Sequence, residues 1–248
     1  MTGTAPLLSM RQLSWSVGGM SIVDDVSLDV AAGEFVGVIG PNGAGKTSLF
    51  NLLTGLYKPV AGRIMLAGRD ITGLAPHRRA RLGLGRSFQA SAIFASMTVH
   101  ANVQLALQAA AGGLRSLRRT SDDRILHVLS DVGLSMLATR PAGLLSHGDK
   151  RKLEIAMLLA AAPAVLLLDE PLAGVATADI DSLTEVIADL AAGDSGRAVL
   201  MVEHDLDVLL GLSTRVAVMH QGALLAYGST AEVMADPAVQ RAYLGAAT

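Results

Sequence analysis

The sequence predicts an α/β fold in which a mostly parallel sheet, covered on both faces, joins an antiparallel β layer and an inserted helical segment. Three patterns predict it. The runs FVGVI, AVLLLD, AVLMV and RVAVMH are short and continuously apolar, as strands buried on both sides are. Amphipathic stretches separate the later ones; in residues 180–190, Ile180, Leu183, Ile187 and Leu190 recur at helical spacing. Residues 92–162, by contrast, are mostly helical in pattern and read as an insertion.

Taken in order, residues 13–40 alternate short apolar stretches with glycines and turn residues: LSWSV, GGMSIVDDVSLDV, AAGEFVGVIG. These are expected strands of an antiparallel layer feeding a buried strand at 35–39. A glycine-rich turn follows, and then residues 47–53 have helix composition. VAGRIMLAGRDI returns to hairpin character, punctuated by Gly62 and Gly68. Within the helical insertion Ile125, Val128, Leu129 and Val132 share one face, as do Leu153, Ala156, Met157 and Ala160, while Gly112 and Gly113 break the pattern. The alternating strand and helix plan then resumes. Ser229 and Glu232 have capping-box spacing for a last helix, which Pro237 is expected to interrupt before a final turn through Val239 and Tyr243.

With 248 residues, 51% hydrophobic and 17% charged, the chain has material for one large core, and residues 1–248 are expected to form one domain with a helical subdomain at about 92–162. Its 22 acidic and 20 basic residues leave a net charge of -2, so no global field gathers a polyanion and nucleic acid is not an expected partner. There is no cysteine, which excludes disulfides and thiolate metal sites. The longest apolar run, residues 157–168, is interrupted by Pro163 and falls short of the roughly 20 residues a membrane helix needs. The opening MTGTAPLLSMR has no signal-peptide character, and a cytoplasmic location is expected. The arginine clusters at 78, 79, 81 and 86 and at 115, 118 and 119 read as solvated faces, with phosphate or partner contact as the alternative.

Gly40-Pro41-Asn42-Gly43-Ala44-Gly45-Lys46-Thr47, followed by Ser48, matches the phosphate-loop pattern between a buried strand and a helix. Glycines let successive N–H groups turn inward on β- and γ-phosphates, and the helix start adds unpaired donors. Lys46 supplies a point charge for the terminal phosphates, and Thr47 a hydroxyl for magnesium. Asp169 and Glu170 end another buried strand, at the sheet edge where open α/β folds gather ligands. Asp169 suits a hydrated magnesium ion; Glu170, one residue on, is the candidate for polarising the attacking water. Leu145-Ser146-His147-Gly148-Asp149 precedes a helical stretch and forms a second anion site without a lysine, which suggests service to another subunit's nucleotide.

The phosphate loop, Ser87-Phe88-Gln89, LSHGD, LLLDEP and Val202-Glu203-His204-Asp205, in that order, resemble the nucleotide-binding subunit of ATP-binding cassette (ABC) transporters over nearly the whole chain. GPNGAGKTSLFNLLTGLYKP, GLGRSFQ, LEIAMLLA, EPLAG and VMADPAVQRAYLG look like the importer ATPases for branched-chain amino acids and their urea relatives. The resemblance implies an ABC-type phosphate-loop core and a magnesium-dependent ATPase that closes as a nucleotide-sandwich dimer with an identical or related subunit. Its other partners would be transmembrane permease subunits and, indirectly, a periplasmic or extracellular binding protein, placing it on the inner face of the membrane. It also implies that Gln89 senses γ-phosphate and magnesium, that His204 is a switch histidine beside Glu170, and that Ser146 and Gly148 reach the partner's ATP.

Two departures stand out. The family usually carries an aromatic residue for adenine where this chain has Val17, ahead of Gly18 and Gly19. Trp15 either substitutes, if the strand edge bends, or serves as a packing anchor. At Gly174-Val175-Ala176, where the family meets the opposite subunit, Ala176 offers no polar side chain. Residues 93–99 (IFASMTV) are either a docking surface for the membrane subunits or buried in the helical subdomain. A soluble ABC ATPase of DNA repair or translation would need a coiled-coil insertion or a second cassette, and a GTPase an asparagine-lysine-x-aspartate loop; neither is found. Use in an exporter stays open.

Overall fold

The computed structural model describes residues 5–87, 93–111, 122–191 and 196–243. Strands β1 (Leu8–Val17), β2 (Met20–Val30), β4 (Ala61–Leu66) and β5 (Arg69–Asp70) form an antiparallel sheet in the order β2-β1-β4-β5. The second sheet has the order β10-β9-β3-β8-β7-β6. Its strands β9 (Arg215–His220), β3 (Phe35–Ile39), β8 (Ala198–Val202), β7 (Val165–Asp169) and edge strand β6 (Leu84–Arg86) pair in parallel, and β10 (Ala223–Ser229) closes the other edge antiparallel to β9.

The apolar runs work by period-two alternation. Val36 and Val38 of β3, Val165 and Leu167 of β7, Leu200 and Val202 of β8 and Ala217 and Met219 of β9 face one core. That core is completed by the antiparallel sheet and by helix α1 (Lys46–Thr54). Phe35 and Ile39, Leu166 and Leu168, Val199 and Met201, Val216 and Val218 face the other core, which contains helices α3 (Val99–Ala110), α4 (Asp122–Asp131), α5 (His147–Ala160), α6 (Thr177–Asp189), α7 (Leu206–Leu212) and α9 (Pro237–Tyr243). The sheet is thus covered on both faces. Helices α3, α4 and α5 pack on one another, and α5 also meets α6.

Several local expectations meet a different chain. Ser229 and Glu232 form the capping box of α8 (Thr230–Met234), but beyond Pro237 lies a second helix, α9, rather than a single turn. Pro sits at its first position, where the missing N–H costs nothing. The helix expected at 180–190 starts earlier, at Thr177. Residues 72–91 received no elements from sequence, yet they hold α2 (Pro76–Arg81) and β6. Arg79, grouped with solvated arginines, is 1% exposed. Its guanidinium donates to the carbonyls of Leu52, Leu53, Thr72 and Leu74 at 2.6, 2.7, 2.7 and 2.9 Å, so a charge meets the oxygens that end α1. Arg115, Arg118 and Arg119 lie outside the described residues.

Candidate functional site

Strand β3 delivers the chain into the loop at Gly40, whose φ is +154°; a side chain there would strike the Met219 carbonyl oxygen of β9. At Gly45 (φ +98°) a Cβ would come 2.6 Å from the Ile22 carbonyl oxygen of β2. The loop is therefore crowded from two strands, and only glycine satisfies both backbone shape and space. The amide of Gly222 donates to Ala44 at 3.1 Å, pinning the β9–β10 turn beneath the loop. Pro41, Asn42 and Gly43 are exposed, Ala44 is buried, Thr47 is exposed and Ser48 half-buried. Helix α1 starts with no side-chain cap at Gly45, which leaves its first amides to serve an anion. Lys46 Nζ donates to the carbonyls of Gly40 and Pro41 at 2.6 and 3.1 Å. Burial pushes the Lys46 ammonium below the usual lysine range, against the opposing fields of Glu170 and Asp169.

Those two carboxylates diverge because the backbone turns between them. Asp169, 1% exposed, ends β7 in register with Val202 of β8. Glu170 adopts φ +49°, a left-handed conformation costly for a non-glycine residue, and its N–H donates to the Val202 carbonyl at 2.9 Å. The turn carries Glu170 to His204, whose Nε2 lies 3.0 Å from Glu170 Oε1. Asp169 stays behind. Its Oδ2 accepts from Arg86 at 2.7 Å, its N–H donates to Ser87 Oγ at 3.0 Å, and its buried Oδ1 has no partner among the described residues. Arg86 also donates to Asn51 Oδ1 of α1 at 2.6 Å and lies 5.8 Å from the Phe50 ring centroid.

Glu203 binds the edge together. It is 7% exposed, and its carboxylate accepts from Leu172 N–H at 2.7 Å and His204 N–H at 3.0 Å. Burial pushes the Glu203 carboxyl above the usual range, and the two amides oppose that rise. Ser87 and Glu203 lie within the sequence motifs but carry no expected role there, and Arg86 reads in sequence as one of a cluster of surface arginines. A signal did exist for Arg86: GLGRS alternates glycine with larger residues, as a tight short strand beside another does.

The structure thus gathers Lys46, Asp169, Glu170 and His204. The LSHGD segment is engaged with its own helix: Ser146 caps α5, accepting from Asp149 N–H at 3.0 Å. Leu145 is buried, His147 exposed and Asp149 half-buried. Gly148 is buried, and a Cβ on it would come 2.6 Å from Asp179 Cβ, so α6 requires glycine there independently of any phosphate. Gln89 and Phe88 lie outside the described residues. Val17 is 55% exposed at the β1–β2 turn. The register does shift between Trp15 and Ser16, but Trp15 stacks on Tyr57 with centroids 4.3 Å apart, which favours the packing anchor. Of the apolar segment expected to dock or bury, Ile93 packs on the core, Phe94 is 48% exposed, and buried Asn102 holds the Phe94 backbone by both its amide atoms. A cavity of ≈ 450 Å³ runs between α2, the end of β6, the C-terminal half of α3 and α5, lined by residues such as Arg86, Ser87, Ala106 and Met157.

Residues 23–173 match the family model for ABC transporters, and residues 223–248 match that of the branched-chain amino acid ATP-binding cassette transporter. The chain is 41% identical to the high-affinity branched-chain amino acid transport ATP-binding protein LivG of Salmonella typhimurium, over 98% of this chain and 99% of that one. It is 39% identical to the lipopolysaccharide export system ATP-binding protein LptB of Acidithiobacillus ferridurans, over 96% and 97%. Among solved structures, the ADP conformation of MJ1267, an ATP-binding cassette of an ABC transporter, superposes with a TM-score of 0.83 at 30% identity, covering 98% of this chain and 100% of that one. A chain that joins a phosphate loop to an acid pair and a histidine in this order, and that matches these relatives end to end, belongs to the ABC transporter family as an ATP-binding subunit.

Proposed function

We propose that this chain hydrolyses ATP as one half of a nucleotide-sandwich dimer and powers the import of branched-chain amino acids. The chemistry rests on one observation, the Glu170–His204 contact at 3.0 Å beside Lys46. The amides of residues 40–48 cradle the phosphates, and Lys46 turns from its own loop carbonyls to the terminal phosphate. Glu170 orients the attacking water and accepts its proton, while His204 Nε2 holds the carboxylate and reaches toward the γ-phosphate. Thr47, Asp169 and Gln89 would hold magnesium; the orphaned, buried Oδ1 of Asp169 fits an oxygen-seeking hydrated ion. When bound, the ion neutralises charge developing on the phosphate oxygens. Ser146 and Gly148 act on the nucleotide of the opposite subunit, identical or related.

Among the described residues no helix is long and apolar enough to cross a membrane. In this reading separate permease subunits form the pathway, and this chain works against their inner face. Exposed Phe94, in the segment between Gln89 and Val103, is the proposed permease contact. A binding protein acts only through that permease. The substrate assignment is supported by the match of residues 223–248 and by the similarity to LivG. Glu170→Gln tests the chemistry. With partners present, turnover is expected to fall about 10²-fold or more while ATP binding persists and a nucleotide-dependent dimer accumulates. Normal turnover in this variant would refute Glu170 as the base.

A further inference from the structure

Arg86 and Asp169 form the most enclosed ion pair among the described residues, with side chains 8% and 2% exposed. The fork of the guanidinium is divided between two elements: one nitrogen holds Asp169 at the end of β7, another holds Asn51 in the middle of α1. Helix α1 also carries Lys46 and Thr47 in its first turn. The same β6 terminus grips Asp169 a second time, through the bond from its N–H to Ser87 Oγ. A carboxylate held at Oδ2 and at its own amide cannot rotate freely, so Oδ1 keeps one direction. That oxygen is buried and has no partner among the described residues, although a buried acceptor without a donor is costly.

We propose that Arg86 is a positioning residue for the magnesium ion: it holds one oxygen of Asp169 so that the other is presented to the ion, at a distance from α1 fixed by the bond to Asn51. The proposal rests on Asp169 as the metal carboxylate. An arginine suits the task because its planar fork can bridge two acceptors in fixed relation, which a lysine ammonium cannot. Partners of this kind behind a metal ligand typically contribute about 10–100-fold in metal affinity. Arg86 also lines the cavity between α2, α3 and α5, so the metal carboxylate and that cavity share a side chain.

The test is the binding of manganese, as a paramagnetic stand-in, to the ADP-saturated full chain, followed by electron paramagnetic resonance. Arg86→Met is expected to weaken manganese binding about 10–100-fold, and Arg86→Lys to recover only part of the loss. ADP binding measured in EDTA reports whether each variant retains a folded cradle; if Arg86→Met does not, Arg86→Lys decides. Asp169→Asn separates the two layers of the argument. If Asp169→Asn leaves manganese affinity unchanged, Asp169 is not the metal carboxylate. If it weakens binding while the Arg86 variants do not, only the positioning role is overturned. In the Asp169→Asn background Arg86→Met is expected to add no further loss; an additive loss would show that Arg86 acts by another route and would overturn the proposal, as would tighter manganese binding in either Arg86 variant.

Discussion

Replacing Arg79 by Met removes a charge while keeping most of the apolar volume, and the structure sets the size of the loss. The guanidinium serves four backbone carbonyls, of which Leu52 also receives the Gly55 amide at 3.1 Å. Three acceptors, those of Leu53, Thr72 and Leu74, therefore lose a charged donor in an interior that is 1% exposed. Each buried acceptor left without a donor costs about 1–3 kcal/mol, and partial entry of water holds the sum to about 4 kcal/mol. In a chain of this size that corresponds to a melting point lower by about 10 °C. Arg79→Lys keeps one charge but cannot reach four oxygens, so about 2 kcal/mol is expected. Urea unfolding of the three proteins, followed by far-ultraviolet circular dichroism, measures the differences. A loss below about 1 kcal/mol in Arg79→Met, or a Lys variant equal to the unaltered chain, would refute the clamp.

Two further outcomes follow from the site. Because burial raises the Glu203 carboxyl, its neutral form is favoured in the folded state: the stability it contributes is full below the unfolded value of 4.5 and is lost as pH rises through the higher folded value. Glu203→Gln is therefore expected to flatten the stability profile across that window, and an unchanged slope in pH-dependent urea titrations counts against it. With exposed Val17 where an aromatic residue usually meets the base, and with Trp15 committed to Tyr57, ATP, GTP and CTP are expected to bind within about tenfold of one another. Strong quenching of Trp15 by ATP but not by inorganic triphosphate would instead make Trp15 the base platform.

What was legible in the sequence was whatever the chain states locally. The phosphate loop, the acid pair and the buried strands are contiguous in sequence, and their patterns report strand burial and helix starts directly. Arg79 and Arg86 were illegible for a physical reason. Both are charged residues whose partners are backbone carbonyls or side chains distant in sequence, and hydropathy reads such residues as surface. The separation of Asp169 from Glu170 was readable as an expectation but not as geometry, since nothing in the letters announces that Glu170 takes a left-handed backbone. Gly148 shows the opposite trap. A motif suggested phosphate contact, and the structure adds a packing demand from Asp179 that would require glycine in any case.

The two buried arginines belong to one stretch, and their partners overlap on one helix. Arg79 holds the carbonyl end of α1 at Leu52 and Leu53, and Arg86 holds Asn51 one residue before them while reaching Asp169. Residues 76–87 are therefore a strap that fixes the helix of the phosphate loop against the strand of the acid pair. The two halves of the nucleotide site need such a strap, because β3 and β7 are not neighbours: β8 lies between them in the sheet. Without it they would be related only through the intervening strand and the apolar core that α1 shares with β7. In sequence the strap ends two residues before Gln89, and it forms one wall of the cavity beneath α3 and α5. Arg86 and Ser87, which hold Asp169, are among the residues that line it.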